Sequence, residues 1–146
     1  MRDSSVRLAD WSSDANRLMT VRRRVFIEEQ GVPERLEWDG SDPGAVHFIA
    51  EDAQGRPVGT ARLLEDGHVG RMAVLPQWRR RGVASALLRE VMRTARALGL
   101  RRLKLNAQTQ VLGFYEQHGF LVAGDEFQDA GIPHRRMAQS LDAEES

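Results

Sequence analysis

A helical stripe between residues 83 and 98 is the clearest pattern in the chain. Val83, Ala84, Leu87, Leu88, Val91, Met92, Ala95 and Leu98 share one face, and Gly99 supplies a C-terminal stop. A looser stripe, Leu18, Met19, Val21, Val25 and Phe26, predicts a helix over 15–29 that Asp14 caps and Gly31 and Pro33 end. Apolar runs bounded by turn residues predict strands over 6–8, 45–51, 58–64, 68–74 and 103–107. Gln54-Gly55-Arg56-Pro57 and Asp66-Gly67 are the turn signals between them. A short helix is predicted over 111–118, ended by Gly119. A final hairpin over 120–127 and 134–141 turns at Asp129-Ala130-Gly131-Ile132-Pro133. Residues 30–44 read as a loop or broken helix.

The order β-α-β-β-β-α-β-α-β-β predicts a single α+β domain over 1–146 with its ordered core at about 6–141. One mixed, mostly antiparallel sheet carries helices on both faces. The polar tail 142–146 is expected to fray.

Composition removes several classes of function. With 21 basic and 21 acidic residues the formal net charge is zero, which argues against a nucleic-acid binder that works through a global positive field. The basic run has no interleaved aromatic except Trp78. No cysteine is present, so disulfides, thiolate nucleophiles and thiolate-bound zinc are excluded. No apolar run approaches membrane-spanning length, and the N-terminus has no apolar signal core, so a cytoplasmic protein with no membrane partner is expected.

The chemistry starts at Val74-Leu75-Pro76-Gln77-Trp78-Arg79-Arg80-Arg81-Gly82-Val83-Ala84-Ser85. A strand end, a proline turn and a basic loop with one glycine lead into the long helix. A helix that opens there points unpaired N–H groups and its positive dipole end at the loop, which suits a phosphate or pyrophosphate. The loop lacks both the P-loop and the dinucleotide-fold glycine patterns.

Arg79, Gly82 and Ala84 resemble the [RQ]-x-x-G-x-[GA] pyrophosphate loop of GNAT-type N-acetyltransferases, with Arg80 where many members carry glycine. Phe114-Tyr115-Glu116-Gln117-His118-Gly119-Phe120 is similar to that family's [LF]-Y-x-x-x-G-F segment, one strand later. Val25-Phe26-Ile27-Glu28-Glu29-Gln30 and Gly131-Ile132-Pro133-His134 look more like the small bacterial ElaA-like subgroup.

This resemblance implies the GNAT fold and an acetyl-CoA-dependent transfer of an acetyl group to a primary amine by direct attack, with no metal. The alternative is a non-catalytic acyl-CoA-binding sensor or interaction domain. The implied cofactor residues are the backbone of Met72, Ala73 and Val74, the loop Arg79, Arg80, Arg81, Gly82, Val83, Ala84 and Ser85, and Phe114. Gln108 stands where the family commonly has asparagine. Arg101, Arg102 and Lys104 are further candidates for the phosphates. Tyr115, the only tyrosine, is the implied general acid that returns a proton to the thiolate.

Candidates for the general base are Glu28, Glu29, His47 and His134, with Glu29 and His134 foremost; His68 beside Gly67 reads as a turn residue. Glu28, Glu29, Glu34, Glu37, Asp39 and Asp42 stand against Arg35 alone in the segment expected to border the acceptor, so a cationic small-molecule or peptide amine is expected. Oligomeric state is left open, with a homodimer among the options.

Overall fold

The computed structural model describes residues 3–141, so the polar tail lies outside the described residues. The chain begins with strand β1 (Ser4–Ala9) and helix α1 (Trp11–Arg22), which continues as a π-helical turn over Arg23–Glu29. A four-residue helix α2 (Glu34–Glu37) and a 3₁₀ turn (Asp42–Gly44) occupy the segment expected to be irregular. Strands β2 (Val46–Asp52), β3 (Pro57–Leu63) and β4 (Val69–Val74) follow. Then come α3 (Val83–Ala97), β5 (Arg102–Gln108), α4 (Leu112–Gln117), β6 (Leu121–Asp129) and β7 (Ile132–Ser140).

The first cap is not Asp14. Asp10 sits in extended backbone and accepts from the Ser12 N–H, while Asp14 lies inside α1 and is buried against Arg7 of β1. An aspartate one turn into a helix is as good a cap by composition alone; a strand arginine across from it decides otherwise.

Strands β1-β2-β3-β4 form an antiparallel sheet, and β5-β7-β6 form a second one. The two halves meet at one parallel bridge, His68 with Lys104, where the Lys104 N–H donates to the Gly67 carbonyl at 3.0 Å. Beyond that bridge β4 and β5 carry no ladder with each other, so the mixed sheet is split along a V-shaped opening.

A β-bulge sets the local shape of β4. Thr60 pairs with Ala73 and Arg62 with Gly70, so Arg71 and Met72 together oppose Ala61. Arg71 takes a left-handed φ of 50°. An arginine has no intrinsic reason to adopt that conformation, and its side-chain bonds, described below, hold it there.

Helix α3 closes one face of the sheet. Val83, Leu87, Leu88, Val91 and Ala95 are buried, each large one contributing roughly 1.5–3 kcal/mol of apolar burial. The stripe ends earlier than the sequence implies: Leu98 is 60% exposed, because the chain leaves the helix at Gly99, whose φ is 83°. Close approach of α3 depends on Gly59, where a Cβ would stand 3.0 Å from both Leu87 and Val83.

The last hairpin is tighter than expected. Ala130 and Gly131 both have positive φ, the signature of a two-residue turn, and Ile132 already pairs with Asp129. Pro133 therefore belongs to β7. It is tolerated because β5 stops at the Gln108–His134 pair, leaving nothing on that side to accept the missing N–H.

Candidate active site

The V-shaped opening is the floor of a cleft of about 1050 Å³, large against the roughly 300–1,000 Å³ of single small-molecule sites. It runs from the loop ahead of α3, along the free edge of β4, to the segment after α1 and the turn before β7.

At the loop end, α3 begins without a side-chain cap, and Gly82 stands at φ 82° with nothing within 4 Å of where its Cβ would be. The first intrahelical bond runs from Ala86 N–H to the Gly82 carbonyl, so the N–H groups of Val83, Ala84 and Ser85 open toward the cleft. Such a cradle fits a pyrophosphate.

The three arginines divide their work. Arg80, with φ 64°, lines the cleft, and Arg81 stacks on Trp78 at 4.7 Å. Arg79 is occupied: its Nε donates to the Val74 carbonyl at 2.9 Å and its two terminal nitrogens hold Glu29. Arg79 thus pins the loop to β4 instead of supplying free charge. Arg101 and Arg102 border a shallow depression along β6 and β7, and Lys104 pairs with Asp66, so none of the three stands at the loop.

Tyr115 is packed between Phe114 and Phe120, with ring centroids 5.0 and 6.0 Å away, and lines the cleft. Among the described residues no group bonds its hydroxyl. Burial pushes that phenol up to about 12, so it stays protonated throughout the physiological range. Ser85, on the first turn of α3, shares a hydrogen bond of 3.1 Å with the His118 ring.

Gln108 is engaged at both ends of its amide. Its nitrogen donates to Gln30 at 3.0 Å across the opening, and its oxygen accepts from Gln110 at 2.6 Å. It therefore straps the segment after α1 to the tip of β5.

The base candidates separate clearly. His47 is buried away from the cleft, stacked on Trp11 at 4.8 Å with its Nε2 on the Asp42 carbonyl at 2.9 Å. Glu28 is exposed and does not line the cleft. Glu29 lines it, but the hydrogen bonds from Arg79 hold its carboxyl below the usual range, which makes it a poor proton acceptor. His134 also lines the cleft. Its Nδ1 lies 2.7 Å from the Ile132 carbonyl, which can only accept, so in the neutral ring the proton sits on Nδ1 and the lone pair on Nε2. Phe127 stacks on the same ring at 5.8 Å.

His68, read from sequence as a turn residue, lines the cleft. It is half-buried, stands beside the point where β4 and β5 part, and lies over Gly70 on the same strand face. Burial pushes its imidazole below its ordinary value, with Lys104, Arg62 and Arg71 acting in the same direction against Asp66. It is neutral at pH 7. The only signal available in sequence was its position at the start of the strand that ends in the basic loop.

The acidic segment is not an anionic collar. Arg22 and Arg62, both almost fully buried, hold Asp42 at 2.9 and 3.1 Å. Arg22 and Arg71 hold Glu37 at 2.8 and 3.0 Å, and Arg62 and Arg71 hold Asp39 at 3.0 and 3.1 Å. Arg23 takes Glu34 at 2.6 Å. Arg71 also donates to the carbonyls of Leu36 and Glu37, which is what holds its bulge conformation.

The split sheet, with an uncapped helix start at its mouth, is the architecture of the acyl-CoA N-acyltransferase fold. The chain belongs to the GNAT acetyltransferase family, whose domain model matches residues 8–141. It is 38% identical to the uncharacterized N-acetyltransferase YjcF of Bacillus subtilis over 121 residues, 80% of this chain and 86% of that one. The crystal structure of Escherichia coli ElaA superposes with a TM-score of 0.83 at 24% identity, covering 93% of this chain and 99% of that chain. N-acetylglutamate synthase from Neisseria gonorrhoeae, solved with coenzyme A and N-acetyl-glutamate, superposes at 0.71 and 24% identity, covering 95% of this chain and 35% of the other.

Proposed function

We propose that the chain transfers an acetyl group from acetyl-CoA to a primary amine within one ternary complex. The observation that carries this reading is the pairing of two features in one cleft: uncapped N–H groups at the start of α3 and the unbonded hydroxyl of Tyr115. Bound acetyl-CoA supplies an activated thioester. The N–H groups of Val83, Ala84 and Ser85, with Arg80 and Arg81, hold its phosphates. The free edge of β4 at Met72, Ala73 and Val74 aligns the pantetheine arm and offers backbone N–H to the carbonyl oxygen. One such donor is worth roughly 3 kcal/mol in other enzymes.

His68 takes a proton from the acceptor ammonium, directly or through water. The freed amine nitrogen bonds to the thioester carbon and loses its second proton to water, the carbon–sulfur bond breaks, and Tyr115 protonates the departing thiolate. Amide and free thiol leave, and His68 passes its proton to solvent as Tyr115 regains one. A phenol at about 12 can still serve a thiolate formed in the same cleft, because desolvation raises both. His134, with its Nε2 lone pair fixed, is the second proton acceptor the geometry supports. The chain has no cysteine to carry an acyl group, in keeping with direct transfer. A cleft that continues past Tyr115 supports catalysis over a sensor that only binds acyl-CoA.

The test is free-CoA release from acetyl-CoA across polyamines, amino acids, aminoglycosides, alkylamines and lysine peptides. Amine-dependent release supports transfer. Tight CoA binding with no release for any amine would favour the sensor.

A further inference from the structure

The residues that line the cleft away from the start of α3 carry information about the acceptor. They include Val32 and Leu36 of the segment 30–37, Met72 and Ile132, together with the polar side chains of His68 and Asn106, and this part is called the acceptor arm. Two carboxylates that line the cleft, Glu29 at the end of the π-helical turn and Glu37 of α2, are each held by arginine. Asp129, the last residue of β6, is the remaining carboxylate that lines the cleft, and it stands exposed.

Leu36 is 47% exposed at this place, on a four-residue helix whose neighbours Glu34 and Glu37 are tied down by ion pairs. Arg22, Arg23 and Arg71, which clamp this segment, therefore hold an apolar side chain at the cleft while the segment's own carboxylates, Glu34 and Glu37, are spent on ion pairs.

We infer that the acceptor arm takes a small primary amine with an uncharged apolar body, alkyl or aryl, in place of a polycation. This rests on the reading of the cleft as an acetyl-transfer site. An apolar arm also disfavours the ammonium form of such an amine, which is the direction the reaction needs.

The test uses the full chain with acetyl-CoA and a homologous series from propylamine to hexylamine, alongside spermidine and a lysine peptide, reading free CoA. The expected result is a rise in kcat/KM of about three- to fourfold per added methylene, the equivalent of about 0.8 kcal/mol each. Hexylamine should exceed spermidine and the peptide. Leu36→Glu should flatten the series while CoA affinity by calorimetry stays at the wild-type value. A flat wild-type series, or a preference for spermidine or the peptide, would overturn the inference and leave acetyl transfer standing. No release with any amine would overturn both.

Discussion

Arg79 and Glu29 meet through two parallel hydrogen bonds, Nη1 to Oε2 at 2.8 Å and Nη2 to Oε1 at 2.6 Å. The pair joins the loop ahead of α3 to the end of the π-helical turn, so it braces one wall of the cleft against the other. Both partners are more than a third exposed or close to it, at 40% and 35%, so solvent screens much of its energy.

Replacing Glu29 by Gln should therefore cost less than about 1 kcal/mol of stability and shift CoA affinity by no more than about fivefold. The pH profile of kcat should keep its shape. A loss of kcat that recovers as pH rises would instead make Glu29 the proton acceptor.

Tyr115→Phe keeps the ring between Phe114 and Phe120 and removes only the hydroxyl. Turnover should fall by roughly 10²–10⁴-fold with CoA affinity unchanged. Because burial holds this phenol at about 12, the wild-type rate should show no falling limb from tyrosine ionisation up to pH 10. Equal turnover in the two proteins would make Tyr115 a packing residue.

The acid limb of the rate profile reports the base. His68 must be neutral to act, and burial lowers its proton affinity, so kcat/KM should begin to fall only below the ordinary imidazole value of about 6.5. His68→Gln should remove that limb and lower kcat, whereas His134→Gln should raise the KM for the amine and leave the limb in place. The reverse pattern would hand the role to His134, whose tautomer the Ile132 carbonyl fixes.

Stability should fall on the acid side in two stages. Burial holds the His47 imidazole down, so the folded state resists a proton that the unfolded chain accepts below about pH 6.5, and stability declines from there. Hydrogen bonds from Arg7 hold Asp14 below the usual carboxylate range; that contribution is complete above about pH 4 and is lost as pH falls further. Urea unfolding at several pH values measures both. In the same assay Arg22→Met, which takes one of two arginine partners from each of the buried carboxylates Glu37 and Asp42, should cost about 3–5 kcal/mol.

Much of this architecture was legible in the chain because it is local. The α3 stripe, the turn signals at Asp66-Gly67 and Gly99, and the loop around Gly82 each depend on residues close in sequence. What was not legible depends on partners far apart. Arg62 reaches Asp42 from 20 positions away, and Arg79 finds Glu29 across 50. Six acidic residues in a row of fifteen looked like a field for a cationic substrate, yet arginines from α1, β3 and β4 hold Glu37, Asp39 and Asp42, and Arg23 and Arg79 hold Glu34 and Glu29. His68 was hidden for the same reason: only the parting of β4 from β5 makes a turn-adjacent histidine a wall of the cleft.

The central claim is that acetyl-CoA binds with its pyrophosphate on the start of α3, and calorimetric titration of CoA into Gly82 variants tests it most directly. Gly82→Ala adds a methyl where nothing stands within 4 Å, at a left-handed φ that costs roughly 1–2 kcal/mol of stability, so it should still bind CoA. Gly82→Glu adds a carboxylate in the path of the phosphates and should abolish binding while the protein remains folded by circular dichroism. Wild-type CoA affinity in a folded Gly82→Glu protein would contradict the account.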